Sequence, residues 1–308
     1  MTNTTRFTFV AGWLAFASLS LGQSGAEAFD WENPAVIERN KQAPRASFFA
    51  FESAALAHGG IPDSSARFMS LNGVWKFHYA PTPEARPVDF FESDYDASKW
   101  DDIPVPANWE VEGHGTPIYV NHPYAFSFHQ RPSPPDIPDG DNPVGSYLRT
   151  FEVPDSWDGQ QVIVHFGAVK SAFYLWVNGE AIGYSQGSKL PAEFDITDAL
   201  QPGTNSLAVE VYRWSDGSYL ECQDFWRISG IERDVYLYTQ PDAHIRDFHV
   251  VADVDATYTE GLLTVDVFWE MGELKRTPRV KATLAHAGSA VECTWTAEPI
   301  DGGTRLTT

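Results

Sequence analysis

The chain has 308 residues, room for about two domains of ordinary size. Asp and Glu number 42 against 21 Lys and Arg, a net charge of -21, which argues against nucleic acid and anionic membrane surfaces as partners. A hydrophobic content of 43%, with 14% of all residues aromatic, is that of a core-forming chain, and two cysteines, Cys222 and Cys293, are too few for a disulfide scaffold.

Residues 1–28 read as an export signal. Arg6 precedes an apolar run through Phe7–Leu21, and Ala26-Glu27-Ala28 offers a small-x-small cleavage site. The run is short and serine-rich for a membrane span, so a periplasmic or extracellular protein is expected, with no membrane as partner. Residues 29–67 keep no clean period and read as an extended arm with a short helix. The run Met69–Phe77 opens the sheet structure, with Val74, Lys76 and His78 on one side and Trp75, Phe77 and Tyr79 on the other. Five prolines in residues 129–143 exclude helix and central strand and predict an ordered surface loop.

Short strands follow. Tyr147, Phe151 and Val153 share a face, as do Val162, Val164 and Phe166, and then Phe173, Leu175 and Val177. Asn178-Gly179 predicts a two-residue hairpin, because both central positions of that turn need positive φ. Strands at this spacing, separated by Gly and Pro, predict an all-β fold, a jelly-roll β-sandwich over 68–240. A boundary near Gln240-Pro241 introduces a fresh strand set: Phe248 and Val250, then Leu263, Val265 and Val267, then Val280, Ala282 and Leu284. Residues 241–308 are therefore expected to form an incomplete immunoglobulin-like β-sandwich, since that fold needs ~100 residues. The cysteines fall in different expected domains and read as free thiols.

Between two alternating runs lies the stretch Arg213–Val235, RWSDGSYLECQDFWRISGIERDV, expected as a loop joining two strands of one sheet. Its carboxylates, arginines and rings suit a surface that meets sugar hydroxyls at the rim and sugar C–H groups on the face. A solvated loop of internal salt bridges is the alternative. No phosphate loop, paired-cysteine zinc spacing, H-E-x-x-H or G-x-S-x-G elbow occurs. A glycosidase needs two carboxyl groups flanking the scissile bond, and spacing alone singles out no such pair.

Taken together, DWENP (30–34), LNGVWKF (71–77), VPANW (105–109), PIYVN (117–121), SAFYLWVNG (171–179), YSQGSKLPAEFD (184–195) and the Arg213–Val235 stretch resemble the amino-terminal part of glycoside hydrolase family 2 β-galactosidases. The resemblance runs from residue 29 to about 250. It implies a jelly-roll sugar-binding domain, an immunoglobulin-like domain and, beyond Thr308, a (β/α)₈ barrel with a glutamate nucleophile and a glutamate acid/base. It also implies a β-galactoside substrate and a homo-oligomer when full length, while the chain by itself is expected to be inert.

By motif, Asn121 resembles the asparagine that binds the galactosyl group, and Asp224 the aspartate that binds substrate and a sodium ion. Asp30, Asn33, the Val36 carbonyl, Gln186 and Asp216 resemble the ligands of a magnesium ion that pins the arm to the sandwich. An amide both donates to and accepts from ring hydroxyls, and carboxylates are hard ligands for hard cations. Bland readings stand beside each: Asn121 as a turn residue before Pro123, Asp224 in a salt bridge with Arg227 at helical spacing, Asp30 and Asn33 as caps of a short turn. The export signal departs from the well-known cytoplasmic members. A stand-alone carbohydrate-binding protein is the rival from another class, and a family 2 enzyme for another glycoside, such as a glucuronide, is a third option.

Overall fold

The structure is a computed structural model that describes residues 29–121, 124–128, 131–272 and 279–308. The export signal read over residues 1–28 lies outside them. From the amino end, Glu38–Arg39 (β1) and a short helix, Ala54–Gly59 (α1), precede Phe68–Ser70 (β2) and Gly73–Ala80 (β3). Asp101–Val105 (β4), Ala107–Asn108 (β5) and Ile118–Val120 (β6) follow. Next come Val144–Glu152 (β7), Gln161–Phe166 (β8), Val169–Lys170 (β9), Ala172–Val177 (β10) and Glu180–Gln186 (β11). Ala192–Asp195 (β12), Thr204–Tyr212 (β13), Phe225–Arg227 (β14), Gly230–Ile231 (β15) and Val235–Gln240 (β16) complete the first unit. The carboxyl-terminal strands are His244–Val254 (β17), Gly261–Glu270 (β18), Ala285–His286 (β19), Ser289–Ala290 (β20), Thr296–Ile300 (β21) and Gly303–Thr307 (β22).

Among the described residues, the all-β expectation holds. One antiparallel sheet runs β1-β11-β10-β13-β7-β3-β4 and a second runs β12-β8-β16-β2. Their alternating inward residues make one core. Trp75, Phe77, Tyr147, Phe173, Leu175, Val209 and Val211 come from the first sheet, and Val162, Val164, Phe166, Phe194, Val235 and Leu237 from the second. The arm is built into this sandwich. β1 adds to the edge at β11, and the close approach needs a glycine: a Cβ on Gly183 would stand 2.5 Å from the Arg39 carbonyl oxygen. Trp31 is buried and stacks on Tyr212 with ring centroids 4.0 Å apart. The Asn178-Gly179 turn joins β10 to β11 with φ of 52° and 85°, the positive pair its sequence predicts.

Three expectations are corrected. The Arg213–Val235 stretch does not join two strands of one sheet: β13 lies in the first sheet and β16 in the second. Alternation marks a half-buried strand but is the same for either wall of a sandwich. The Met69–Phe77 run is divided at Leu71-Asn72 into β2 and β3, again on opposite sheets, although the faces assigned within β3 are as expected. Val280, Ala282 and Leu284 form no strand; Leu284 is exposed, and alternating apolar residues without a facing layer gain little from the strand conformation.

Beyond β16 the antiparallel sheet β17-β18-β22-β21 stands apart from the sandwich sheets, with β19-β20 as a small hairpin. Arg45 of the arm reaches this junction. Its guanidinium pairs with Glu193 at 2.7 Å, and the neighbouring Ala46 amide donates to Asp247 of β17 at 2.7 Å.

Candidate functional site

The crossover from β13 to β16 is held by buried arginines. Arg213 Nη2 donates to the carbonyls of Thr116 and Arg227, each at 2.9 Å, and tethers two loops at once. Its Nε lies 3.6 Å from Glu110, an ion pair beyond hydrogen-bond length; burial raises the Glu110 carboxyl against the pull of the Ser229 amide and of Arg213. Arg227 donates to the Val120 and Gln223 carbonyls and lies over the Phe225 ring, 4.5 Å from its centroid. A capping box between Ser215 and Ser218 starts the 3-10 turn Asp216–Tyr219. Glu221 accepts from the Ser188 amide and hydroxyl, which fixes the far side.

This frame presents a two-stranded ribbon, β6 with β14, paired Phe225 to Val120, Trp226 to Tyr119 and Arg227 to Ile118. The next residues outward, Asn121 and Asp224, therefore leave the ribbon side by side at one end. Both are exposed. Asp224 accepts a hydrogen bond from the Tyr119 hydroxyl at 2.5 Å, and that bond raises the Tyr119 phenol above its ordinary range. Tyr119 and Trp226 are 53% and 55% exposed with centroids 5.6 Å apart, so two rings flank a carboxylate and an amide on one open surface. The proposed Asp224–Arg227 pair at helical spacing is not the arrangement found. Residues 225–227 are strand, where positions three apart face opposite ways, and Arg227 turns inward to carbonyls.

The arm residues gather around the Gln186 amide. Gln186 Nε2 donates to Asp216 Oδ1 and to the Tyr184 hydroxyl, both at 2.7 Å, and reaches the Asp30 carbonyl at 3.4 Å. The Asp30 carboxylate takes Arg39 on both oxygens, at 2.7 and 2.8 Å, which lowers its pKa despite partial burial. Burial raises that of Asp216. Asn33 caps the turn as the bland reading expects, accepting from the Ala35 amide at 3.1 Å, while its carbonyl accepts from the Val36 amide. Asp30, Gln186 and Asp216 thus converge, whereas Asn33 and Val36 lie on the adjoining turn. Two carboxylates with amide and carbonyl oxygens suit a hard divalent cation, with Arg39 as the competitor for Asp30. Among the described residues, no group of three or more His, Cys, Asp or Glu side chains is placed to hold a metal.

Residues 68–241, more than half of the chain, match the family profile "Glycosyl hydrolases family 2, sugar binding domain". The chain belongs to glycosyl hydrolase family 2. This family 2 chain is 45% identical over 237 residues to a beta-galactosidase of Priestia megaterium, covering 77% of itself and 23% of that protein. It is 47% identical over 229 residues to a beta-galactosidase of Halalkalibacterium halodurans, covering 73% and 22%. It therefore spans about a quarter of the length of the curated relatives it matches. A solved beta-glycosidase from Bacteroides vulgatus shares the fold, with a TM-score of 0.54 at 22% identity over 79% of this chain and 29% of that one.

Two features of this surface escaped the sequence. Tyr119 was visible only as the middle of PIYVN, yet its place between Ile118 and Val120, both half-buried, turns it outward. Lys170, a lone cation ending an apolar run, is almost wholly buried beneath the ribbon. Cys222 and Cys293 are free thiols, as expected, and Cys222 Sγ lies 3.5 Å from Arg227 Nη2.

Proposed function

We propose that this chain is the amino-terminal portion of an exported β-galactosidase that releases terminal, non-reducing β-D-galactose from β-galactosides. In this reading Asn121 and Asp224 form one wall of the galactose pocket, and the glutamate pair that cleaves the bond belongs to a barrel beyond Thr308. The observation that carries it is the adjacency of Asn121 and Asp224 at the ribbon end, in a chain whose family 2 relatives are named beta-galactosidases. The Asp224 carboxylate would hold substrate hydroxyls and a sodium ion, with the Tyr119 hydroxyl fixing its rotamer. Magnesium would be held by Asp30, Asn33, the Val36 carbonyl, Gln186 and Asp216, tying the arm to the crossover. A bound cation there would supply charge neutralisation for two carboxylates. The working assembly is a homo-oligomer in the periplasm or outside the cell.

The test is to express the continued reading frame and measure galactoside and glucuronide hydrolysis. Galactoside turnover that falls by about 10²-fold or more in Asp224→Ala supports the reading, on the scale of losing a group that stabilises the transition state. Preference for a glucuronide, or an Asp224→Ala enzyme of unchanged kcat/KM, overturns it. The rival, a stand-alone carbohydrate-binding protein, draws support from the exposed Tyr119–Trp226 pair. It predicts galactose binding by the 308-residue chain that is lost on Trp226→Ala.

A further inference from the structure

The end of the ribbon that carries Asn121 and Asp224 is set from its other end. Thr116 stands two residues before β6, and Arg227 closes β14 opposite Ile118. Arg213 Nη2 donates to the carbonyls of Thr116 and Arg227, each at 2.9 Å, so one nitrogen fixes how far apart the two strands begin. Asn121 and Asp224 lie three residues further along each strand from the Ile118–Arg227 pair. The ribbon is a two-stranded sheet of its own, without a third strand to correct an error in that spacing.

Glu110 is what keeps Arg213 there. Both side chains are buried, and Arg213 Nε faces Glu110 Oε1 across 3.6 Å, neither atom having a hydrogen-bond partner among the described residues. Burial works against the charged guanidinium, and Glu110 is the strongest of the neighbours that offset it, ahead of Tyr79 and Asp141. The other Glu110 oxygen accepts from the Ser229 amide at 2.7 Å, and the Ser229 carbonyl accepts from the Trp109 amide at 3.0 Å. Trp109-Glu110 therefore grips the chain leaving β14, while the Glu110 carboxylate answers the cation that grips both strands. A buried guanidinium deprived of its counter-charge is costly and would leave its carbonyls.

We propose that Glu110 is a positioning residue for Asn121 and Asp224, acting through Arg213 on the spacing of β6 and β14. It touches neither residue and has no part in the chemistry; it holds the cation that holds the two strands. The consequence for turnover rests on the galactosidase reading, whereas the consequence for the ribbon does not. Glu110→Gln is the informative change, because it keeps an acceptor for the Ser229 amide and removes only the charge facing Arg213. Arg213→Lys is its counterpart: the charge stays, but an ammonium lacks the planar fork that reaches two carbonyls while facing Glu110.

The experiment has two readouts. In the 308-residue chain, nuclear Overhauser contacts between the Tyr119 and Trp226 rings report the ribbon, and they should weaken in Glu110→Gln. Arg213→Lys should weaken them too, and it decides the matter should the Gln form not fold. In the enzyme expressed from the continued reading frame, KM for a galactoside should rise by about tenfold in Glu110→Gln, since a misplacement of about 1 Å can cost about 10²-fold. A variant that is merely less stable loses active enzyme, which lowers apparent kcat at unchanged KM. Ring contacts that persist in the folded variants overturn the proposal. So does an unchanged KM in Glu110→Gln where Asp224→Ala is strongly impaired. Weakened ring contacts with an unimpaired Asp224→Ala enzyme would instead uphold the positioning of the ribbon and sink the galactosidase reading of its end.

Discussion

Two parts of this chain are built from the same alternating strands and end in opposite states. In the sandwich the inward faces of two sheets meet, and Trp75, Phe77, Leu175 and Val209 are sealed with 0% exposure. In the carboxyl-terminal sheet Val250, Val254 and Leu262 remain 47–48% exposed. The pattern of residues is not what differs; the presence of a facing layer is. Burial of apolar area is a property of a pair of surfaces, so an alternating strand stabilises the chain only where its partner surface is present.

The largest effect that separates the two is core truncation. Trp75→Ala is expected to cost about 3–5 kcal/mol, because it opens a cavity between the sheets and removes the indole bond to the Leu71 carbonyl. Val254→Ala in the open sheet is expected to stay within about 0.5 kcal/mol. Urea denaturation followed by tryptophan fluorescence measures both. Equal costs would mean that the open sheet is covered in solution.

Lys170 reverses the sign within the sandwich itself. Its ammonium titrates at about 8 in the folded chain, below the 10.5 of an ordinary lysine. Between those values the unfolded chain binds the extra proton, so stability rises with pH across this window and the full cost is present below pH 8. Lys170→Met is therefore expected to stabilise the chain by about 2–3 kcal/mol at pH 7, a little less than the shift converts to at 1.36 kcal/mol per unit. The gain should shrink as pH approaches 10. Denaturation midpoints at the two pH values decide it, and a Met variant less stable than the parent at pH 7 would show that the lysine is internally compensated.

Acid should act on the sandwich and the open sheet differently. Glu193 is buried, which alone would raise its carboxyl, but hydrogen bonds from His165 and Arg45 outweigh burial and hold it down at about 2. A depressed carboxyl contributes stability above its unfolded value of 4.5 and loses it as pH falls toward 2. The Arg45–Glu193 contact should thus fail across this window and release the arm beside β12. The matching pair in the open sheet, Arg305 with Asp266, has its guanidinium 42% exposed, so solvent screens it and its loss should matter less. Acid titration of Glu193→Gln against Asp266→Asn checks this: the first should flatten the acid limb and the second should leave it unchanged.

What sequence made legible follows the same division. Faces of single strands and the Asn178-Gly179 turn are local, since an alternating row or a pair of positive φ angles is written in adjacent residues. Which sheet β16 joins is not local, and neither is the failure of Val280–Leu284 to become a strand. The site shows the contrast most clearly. Asn121 and Asp224 were each singled out only by motif resemblance, and their adjacency depends on Val120 pairing with Phe225 across more than a hundred residues of chain. Lys170 was invisible because a cation after an apolar run reads as a strand ending in solvent, and only the crossover folding over it makes it a buried donor.

The smallest effect tests the comparison at its surface. Val250→Lys combined with Leu262→Lys places charge on adjacent strands of the open sheet, at positions already reached by water. Because no buried apolar contact is lost, stability should move by no more than about 0.5 kcal/mol per site. Binding of an apolar fluorescent dye should fall, since an exposed apolar patch is what such a dye occupies. Thr150→Lys, at an exposed position on the outer face of β7, serves as the control and should leave dye binding as it was. If the double variant instead unfolds the β17-β18 pair, those valines and leucines are covered by something in solution, and the contrast between a closed sandwich and an open sheet would have to be given up.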